Sequence, residues 1–239
     1  MIDRGKKNIL GVCVDAVDYE AAVNKIIEAA RRQAPFAVCA LAVHGVTTGA
    51  LDRRQRFRLN ALDLVTPDGQ PVRWALNWLY DARLPDRVYG PALMLKVCEK
   101  AAALDLPIYL YGSKPHILSR LEAALRQSYP TLRVAGSCPS RFRQLTQEED
   151  RQIVRRVLQS GARIVFVGLG CPRQEAWVYE HRDVLPMPLV AVGAAFDFHA
   201  GALPQAPALM QRAGLEWLFR LICEPRRLWK RYLLLNPLY

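Results

Sequence analysis

Carboxylates that follow short apolar segments are the side chains of this chain best suited to proton transfer. Asp68 stands in a Pro-Asp-Gly segment and could act as a general base. The alternative is an ordinary turn, since these residue types are common in turns. Asp197, between two phenylalanines, could accept from a ligand amide or cap the following segment. Gln174 and Glu175 could bind hydroxyls or a base edge, or Glu175 could simply favour a helix N-terminus.

The last 28 residues combine cations with large apolar side chains. Apolar residues recur every fourth position from Leu209 to Leu221, which predicts an amphipathic helix, and Pro225 separates it from a second short helix. Arginine forks suit phosphate, whereas cations beside Trp and Tyr suit an anionic membrane surface. A docked helix pair with a solvated basic face explains the same pattern. The basic residues that follow Pro225 are Arg226, Arg227, Lys230 and Arg231.

Other catalytic chemistries lack the residue spacing that they need. The chain has no Ser/His/Asp arrangement and no His/Cys cluster at metal-ligand spacing, so we expect neither covalent catalysis nor a metal. No cofactor is predicted. Six scattered cysteines without C-x-x-C spacing are expected to be buried free thiols. His44 follows an apolar segment and is more typical of a structural histidine than of a ligand contact.

These residues must be positioned by alternating strands and helices. Apolar strands that alternate with amphipathic helices predict an α/β fold, Rossmann-like, with a mostly parallel sheet covered by helices on both faces. A short basic amphipathic helical appendage follows at the C-terminus. The predicted strands are 8–14, 36–43, 62–66, 107–111, 132–136, 164–167 and 189–192, and the predicted helices before the tail are 19–33, 46–60, 72–80, 92–104, 116–128 and 146–160.

Four of the predicted strands end in glycine turns. Ligands of open α/β sheets bind at the carboxyl ends of strands, where glycine lets backbone N–H groups approach a phosphate. None of the turns is a Walker A or G-x-G-x-x-G motif, and each alone is typical of a simple turn. Together at one sheet edge they predict a nucleotide-type site. The turns contain Asp68-Gly69, Gly112-Ser113, Gly168-Leu169-Gly170 and Gly193.

The net charge of +11 and the pI near 9.7 favour an anionic partner: nucleic acid, acidic lipid or a phosphorylated substrate. We expect no signal peptide, and no apolar run reaches the ~18 residues that a spanning helix needs, so membrane contact should be peripheral. A Gly/Pro/Ala stretch at 201–207 marks the predicted boundary between a core, 1–203, and an appendage, 204–239.

Six segments, in this order, are similar to one known family. They are Thr66-Pro-Asp-Gly-Gln70, Arg87-Val-Tyr-Gly-Pro91, Tyr109-Leu-Tyr-Gly-Ser113, Val167-Gly-Leu-Gly-Cys-Pro-Arg-Gln-Glu175, Gly193-Ala-Ala-Phe-Asp-Phe198, and Gly214-Leu-Glu-Trp-Leu-Phe-Arg220 with Glu224-Pro-Arg-Arg. Together they resemble the WecG/TagA/CpsF family of bacterial glycosyltransferases, glycosyltransferase family 26. The resemblance covers nearly the whole chain.

The resemblance implies an inverting, metal-independent hexosyl transfer. The donor would be a UDP-sugar, carrying for example N-acetylmannosamine, its uronic acid or glucose. The acceptor would be a sugar on undecaprenyl diphosphate at the cytoplasmic face of the membrane, in cell-surface polysaccharide synthesis. The implied partners are this donor, this acceptor and an anionic membrane surface; nucleic acid is not implied, and a homo-oligomer is left open.

The resemblance also assigns roles to residues. It implies that Asp68 is the catalytic base, that Asp197 lies near the uracil, and that tail arginines complete the active site, with Arg220 and Arg227 as the catalytic candidates. The donor loop would contain Gly168, Gly170, Gln174 and Glu175. The remaining candidate substrate-binding residues are His44, Gly69, Gln70, Tyr89, Gly90, Gly112, Ser113, Arg226 and Arg231.

One departure from the family pattern affects specificity. Many members carry Thr-x-Asn where this chain has Ala40-Leu41-Ala42, followed by His44. The identity of the sugar is therefore not carried over, and His44 is the candidate substitute. A basic membrane- or nucleic-acid-binding protein without activity would explain the charge but not the glycine turns at strand ends. A nucleotide-sugar epimerase is disfavoured by the missing dinucleotide motif.

Overall fold

The structure, a computed structural model, describes residues 1–229, 232–233 and 239. Strands and helices alternate along most of its length. The elements are β1 (Asp3–Ile9), β2 (Val12–Val17), α1 (Tyr19–Arg32), β3 (Phe36–Leu41), α2 (Val43–Leu51), α3 (Arg53–Asn60), β4 (Leu64–Pro67), α4 (Gln70–Tyr80), α5 (Gly90–Ala103), β5 (Ile108–Gly112), α6 (Pro115–Ser128), β6 (Val134–Cys138), α7 (Gln147–Gln159), β7 (Ile164–Gly168), α8 (Arg173–His181), β8 (Pro188–Ala191), α9 (Ala195–His199), α10 (Ala208–Arg212), α11 (Glu216–Cys223) and α12 (Pro225–Trp229).

Six strands form one sheet in the order β4-β3-β8-β7-β5-β6, and every neighbouring pair is parallel. This confirms the predicted α/β class. The register pairs Gly112 with Gly168 and Val167 with Ala191. Because these residues stand at the ends of their strands, the loops after β5, β7 and β8 emerge side by side at the carboxyl edge.

Alternate residues of each strand enter two apolar cores, one on each face of the sheet. In β7, Val165 and Val167 face a core completed by β1, β2 and helices that include α3, α4 and α8. Ile164 and Phe166 face a second core completed by α1, α5 and α6. Strands buried on both faces have no polar side to present, which explains why they are apolar throughout.

The first predicted strand, 8–14, is wrong in detail. The chain instead forms a hairpin in which β1 and β2 pair antiparallel, with Ile9 opposite Val12. Leu10 and Gly11, which connect the two strands, both have positive φ, at 52° and 86°. Two such residues match the twist of a two-residue hairpin turn. Asp15 of β2 accepts from the backbone N–H of Val65 at 2.7 Å and fixes the hairpin to β4.

The predicted helix 46–60 is two helices, α2 and α3. Asp52 separates them and caps α3, since its side chain accepts from the backbone N–H groups of Arg54 and Gln55. A short carboxylate at this position satisfies donors that would otherwise lack a partner inside the helix.

The apolar stripe of the tail also belongs to two helices rather than one. Gly214, with a φ of 72°, lies between α10 and α11. A Cβ added there would lie 2.6 Å from the Trp74 ring, so glycine is required both for the backbone conformation and for close packing. The predicted break at Pro225 is confirmed, because α12 begins at that residue.

Candidate active site

A cavity of about 810 Å³ lies at the carboxyl edge of the sheet. Its walls come from the loops that follow β3, β4, β5, β7 and β8, and from the tail. The structure therefore brings together most of the residues that the sequence singled out. Those that line the cavity are His44, Asp68, Gly69, Gln70, Tyr89, Ser113, Gly168, Gly170, Gln174, Glu175, Asp197 and Arg220.

Asp68 directly follows β4 and is half-buried at the cavity wall. Its Oδ1 accepts from the backbone N–H of Gly90, the first residue of α5, at 3.1 Å. Burial raises the pKa of this carboxyl to about 6, while the positive charges of Arg87 and Arg220 act in the opposite direction. A carboxylate with such a pKa is ionised at neutral pH and still holds a proton better than an exposed aspartate does.

Burial of an ionised Asp68 should cost stability. We expect Asp68→Asn to raise the free energy of unfolding by about 3 kcal/mol at pH 8 and by little at pH 4. The folded pKa lies above the unfolded value near 4, so the wild-type chain loses stability as the pH rises from about 4 through 6. Urea denaturation of both chains at the two pH values measures this. An equal difference at pH 4 and pH 8 would contradict the assignment.

Arg87 begins one of the six quoted segments, but the sequence analysis did not name it as a site residue. Its guanidinium is only 8% exposed and pairs with Glu216 of α11 at 2.6 Å; Glu216 itself is 13% exposed. The same guanidinium donates to Gln211 at 3.2 Å and lies 4.2 Å from the ring centre of Tyr89. Arg87 also lowers the pKa of Asp68. The Arg87–Glu216 ion pair therefore links the tail to the candidate base.

Arg220 is the tail arginine that the described side chains place in the cavity. Its guanidinium lies 5.6 Å from the ring centre of Phe198 and 4.0 Å from the carboxylate of Glu224. Its positive charge also lowers the pKa of Asp68, though less than that of Arg87 does. The cavity therefore holds a carboxylate and a guanidinium that act on each other through their charges.

Gln174 and Glu175 are buried beneath the loop after β7. Oε1 of Gln174 accepts from the backbone N–H groups of Gly170 at 3.2 Å and Gly193 at 3.1 Å, so it ties the β7 and β8 loops together. Nε2 of Gln174 donates to Glu175 at 3.1 Å. Burial raises the pKa of Glu175, and Cys39 lies 3.5 Å from its Oε1. Both side chains shape the loop from below.

Ser113 and Asp197 meet across the cavity floor. The hydroxyl of Ser113 donates to Oδ1 of Asp197 at 3.4 Å, and its backbone N–H donates to the carbonyl of Gly168 at 3.1 Å. Gly112 packs against the end of β7, where a Cβ on residue 112 would collide with the Gly168 carbonyl. Gly112 therefore permits close approach of β5 to β7 instead of lining the cavity.

His44 and Gln70 stand at the N-terminal turns of α2 and α4. Gln70 is buried; its Nε2 donates to Asp86 at 3.0 Å and its Oε1 accepts from Arg73 at 3.2 Å. These bonds hold the start of α4 below Asp68. His44 is half-buried and also lines the cavity.

Some of the candidate residues are not at the cavity wall. Gly90 contacts Asp68 through its backbone but does not line the cavity, and Arg226 is exposed outside it. The side chain of Arg227 and the whole of Arg231 lie outside the described residues.

Three basic residues at the cavity rim were not named as site residues in the sequence analysis. Lys114, His116 and Arg173 are exposed and line the opening. Arg173 is oriented by a 2.8 Å hydrogen bond from its guanidinium to the carbonyl of Leu169. Lys114 and His116 follow the glycine turn after β5. This position at a strand end was the signal in the sequence that could have identified them as site residues. Within the described part of the chain, no group of three or more His, Cys, Asp or Glu side chains could hold a metal ion.

A parallel α/β sheet with a charged cavity at its carboxyl edge defines a Rossmann-like ligand-binding protein, and the raised pKa of Asp68 is typical of an enzyme. Residues 7–239 match the model of the glycosyl transferase WecG/TagA/CpsF family. The chain therefore belongs to this family of glycosyltransferases, which acts in cell-surface polysaccharide synthesis.

Proposed function

We propose that the enzyme transfers a hexose-type sugar from a UDP-sugar to a sugar linked to undecaprenyl diphosphate, with inversion and without a metal. The observation that carries the proposal is that one cavity contains both a carboxylate of raised pKa, Asp68, and the Arg220 guanidinium. An inverting transfer needs these two groups: a base for the acceptor hydroxyl and positive charge for the leaving diphosphate.

In the proposed reaction Asp68 removes the proton of the acceptor hydroxyl. The hydroxyl oxygen bonds to the anomeric carbon of the donor while the bond from that carbon to the diphosphate oxygen breaks. The electron pair of the broken bond leaves with UDP, and the proton remains on Asp68. The pKa of about 6 supports this role, because the group is ionised near pH 7 and accepts a proton readily.

Positive charge for the departing diphosphate would come from Arg220, with Lys114 and Arg173 at the rim. Guanidinium groups bind phosphate oxygens with two parallel hydrogen bonds, and a preorganised cation stabilises charge as it develops. Asp197 and Ser113, on the cavity floor, are proposed to contact the nucleoside.

The proposed location is the cytoplasmic face of the cell membrane, where a lipid-linked acceptor would be met. Among the described residues, no helix has the length and apolar character to cross a bilayer, so the contact is proposed to be peripheral. The tail, 204–239, is proposed to serve as a membrane-associating appendage that also closes the cavity, since Trp217 and Arg220 belong to its wall.

Release of UDP from a panel of UDP-sugars, with a lipid-diphosphate-sugar acceptor, tests the proposed reaction directly. We expect one donor to release UDP in an acceptor-dependent manner. Acceptor-independent release, or no release with any UDP-sugar, would contradict the proposal.

UDP is expected to bind with the same affinity in the presence and absence of EDTA. The reason is that arginine and lysine side chains of the cavity, rather than a metal ion, would neutralise the diphosphate. Calorimetric titration measures both affinities. A loss of more than about tenfold in EDTA, or ~1.4 kcal/mol, would contradict metal-free binding.

A further inference from the structure

The outward face of α4 is unusually apolar. Val72 and Leu76 face the core, as expected for a helix packed on a sheet. Trp74 and Trp78, one turn apart, face outward, and Trp78 is 92% exposed. The outer face of a surface helix is normally polar. An indole that offers this much apolar area to water indicates a surface that meets a partner.

Three cations lie near the C-terminal end of α4. Lys7 of β1 lies 5.8 Å from the ring centre of Tyr80, and Arg4 donates to the carbonyl of Asp81 at 2.8 Å. Arg83 is exposed beside them and pairs with Asp81 at 2.8 Å. Asp81 is the only carboxylate in these contacts, so Arg4, Lys7 and Arg83 leave an excess of positive charge there. We call Trp74, Trp78, Arg4, Lys7 and Arg83 the α4 face.

The α4 face continues to the mouth of the cavity. Gly214 of the tail packs against the Trp74 ring and lines the cavity, as does Pro71 at the start of α4. At 1.5 Å per residue, Trp78 lies roughly 12 Å along the helix from Gln70. A surface that touches the α4 face would therefore lie close to the opening through which an acceptor enters.

We propose that the α4 face docks on an anionic lipid surface, with Trp78 inserted among the headgroups; this inference rests on the proposed function, whose acceptor is lipid-linked. Tryptophan with flanking cations suits the headgroup layer, where an indole can bury its apolar body and keep its N–H in polar surroundings. A second copy of this chain fits less well, because a twofold contact would bring two sets of same-sign charges together.

Trp78→Ala should weaken binding to vesicles that contain anionic phosphatidylglycerol at least tenfold relative to the wild-type chain. Cosedimentation measures the partition, and circular dichroism checks the fold, which an exposed side chain should not affect. Leu104→Ala is the matched control: Leu104 is exposed at the far end of α5, opposite the end that contacts Asp68, and should not change binding. Arg4→Glu combined with Lys7→Glu should also weaken binding to these vesicles. The binding that remains should depend little on the salt concentration.

Two results would overturn the docking proposal. One is that Trp78→Ala binds these vesicles as tightly as the wild-type chain does. A wild-type chain that does not bind these vesicles at all counts as the same result. The other is a loss of self-association by Trp78→Ala with vesicle binding unchanged, which would assign the α4 face to a second copy. Transfer to a soluble, short-chain acceptor should be unchanged in Trp78→Ala. A wild-type chain that binds vesicles but transfers no sugar would reject the proposed function and leave the docking surface in place.

Discussion

Asp68→Asn is expected to lower kcat by about 10²–10⁴-fold while the affinity for UDP stays within about threefold, because a positioned base contributes a factor of this size. Asparagine keeps the shape of the side chain, and its carbonyl oxygen can still accept from the Gly90 N–H that now holds Oδ1 at 3.1 Å. The substitution removes the negative charge and, with it, the capacity to take up the acceptor proton. Steady-state kinetics and calorimetric titration of UDP separate the two effects.

The pH profile gives an independent readout of the same residue. The wild-type kcat/KM should fall below about pH 6, where Asp68 becomes protonated, and the residual activity of Asp68→Asn should lack this limb. Asp183→Asn removes an exposed carboxylate outside the cavity and should leave the rate and its pH dependence unchanged. Turnover of Asp68→Asn near the wild-type rate would leave Asp68 as a turn residue, with His44 as the next candidate base.

The layout of the site was predictable because it follows from local patterns. Apolar runs at strand length and amphipathic runs at helix length indicate a parallel sheet, and a parallel sheet brings the carboxyl ends of its strands to one edge. Asp68, Gly168 and Gly193 could therefore be assigned to one region before any contact was known. The cavity contains all three.

Contacts between distant parts of the chain could not be predicted in this way. Arg87 and Glu216 are 129 positions apart, and nothing in the spacing of either residue indicates a partner. Gln174 lines the cavity, where a ligand contact was predicted, but its bonds to two backbone groups from different loops were not predicted. Such pairings depend on how loops pack in three dimensions, and one sequence gives no period or motif for them.

Local signals were available for two of the wrong boundaries. Gly11 could have indicated a turn within the first apolar run, and Asp52 is a residue type that commonly caps a helix. In both places the apolar pattern continues on either side of the break. Periodicity alone therefore predicted one element where the backbone forms two.

A chain that ends at Ala206 is expected to fold but to lose transfer by more than about 100-fold, even with a soluble, short-chain acceptor. The six-stranded sheet and both of its cores are formed almost entirely by residues before this point. Truncation removes Arg220 from the cavity and Glu216 from Arg87. Activity assays with soluble and vesicle-bound acceptors, together with circular dichroism, measure the outcome.

Single substitutions in the full-length chain separate the roles of the tail. Arg220→Gln should reproduce most of the loss on the soluble acceptor, whereas Arg212→Ala, which changes an exposed tail arginine outside the cavity, should not. Glu216→Gln should shift the acidic limb of kcat/KM to lower pH, because Glu216 raises the pKa of Asp68 and Arg87 lowers it. Full activity of the truncated chain on a soluble acceptor would mean that the tail only anchors the enzyme, and that the Arg87–Glu216 pair has no part in the reaction.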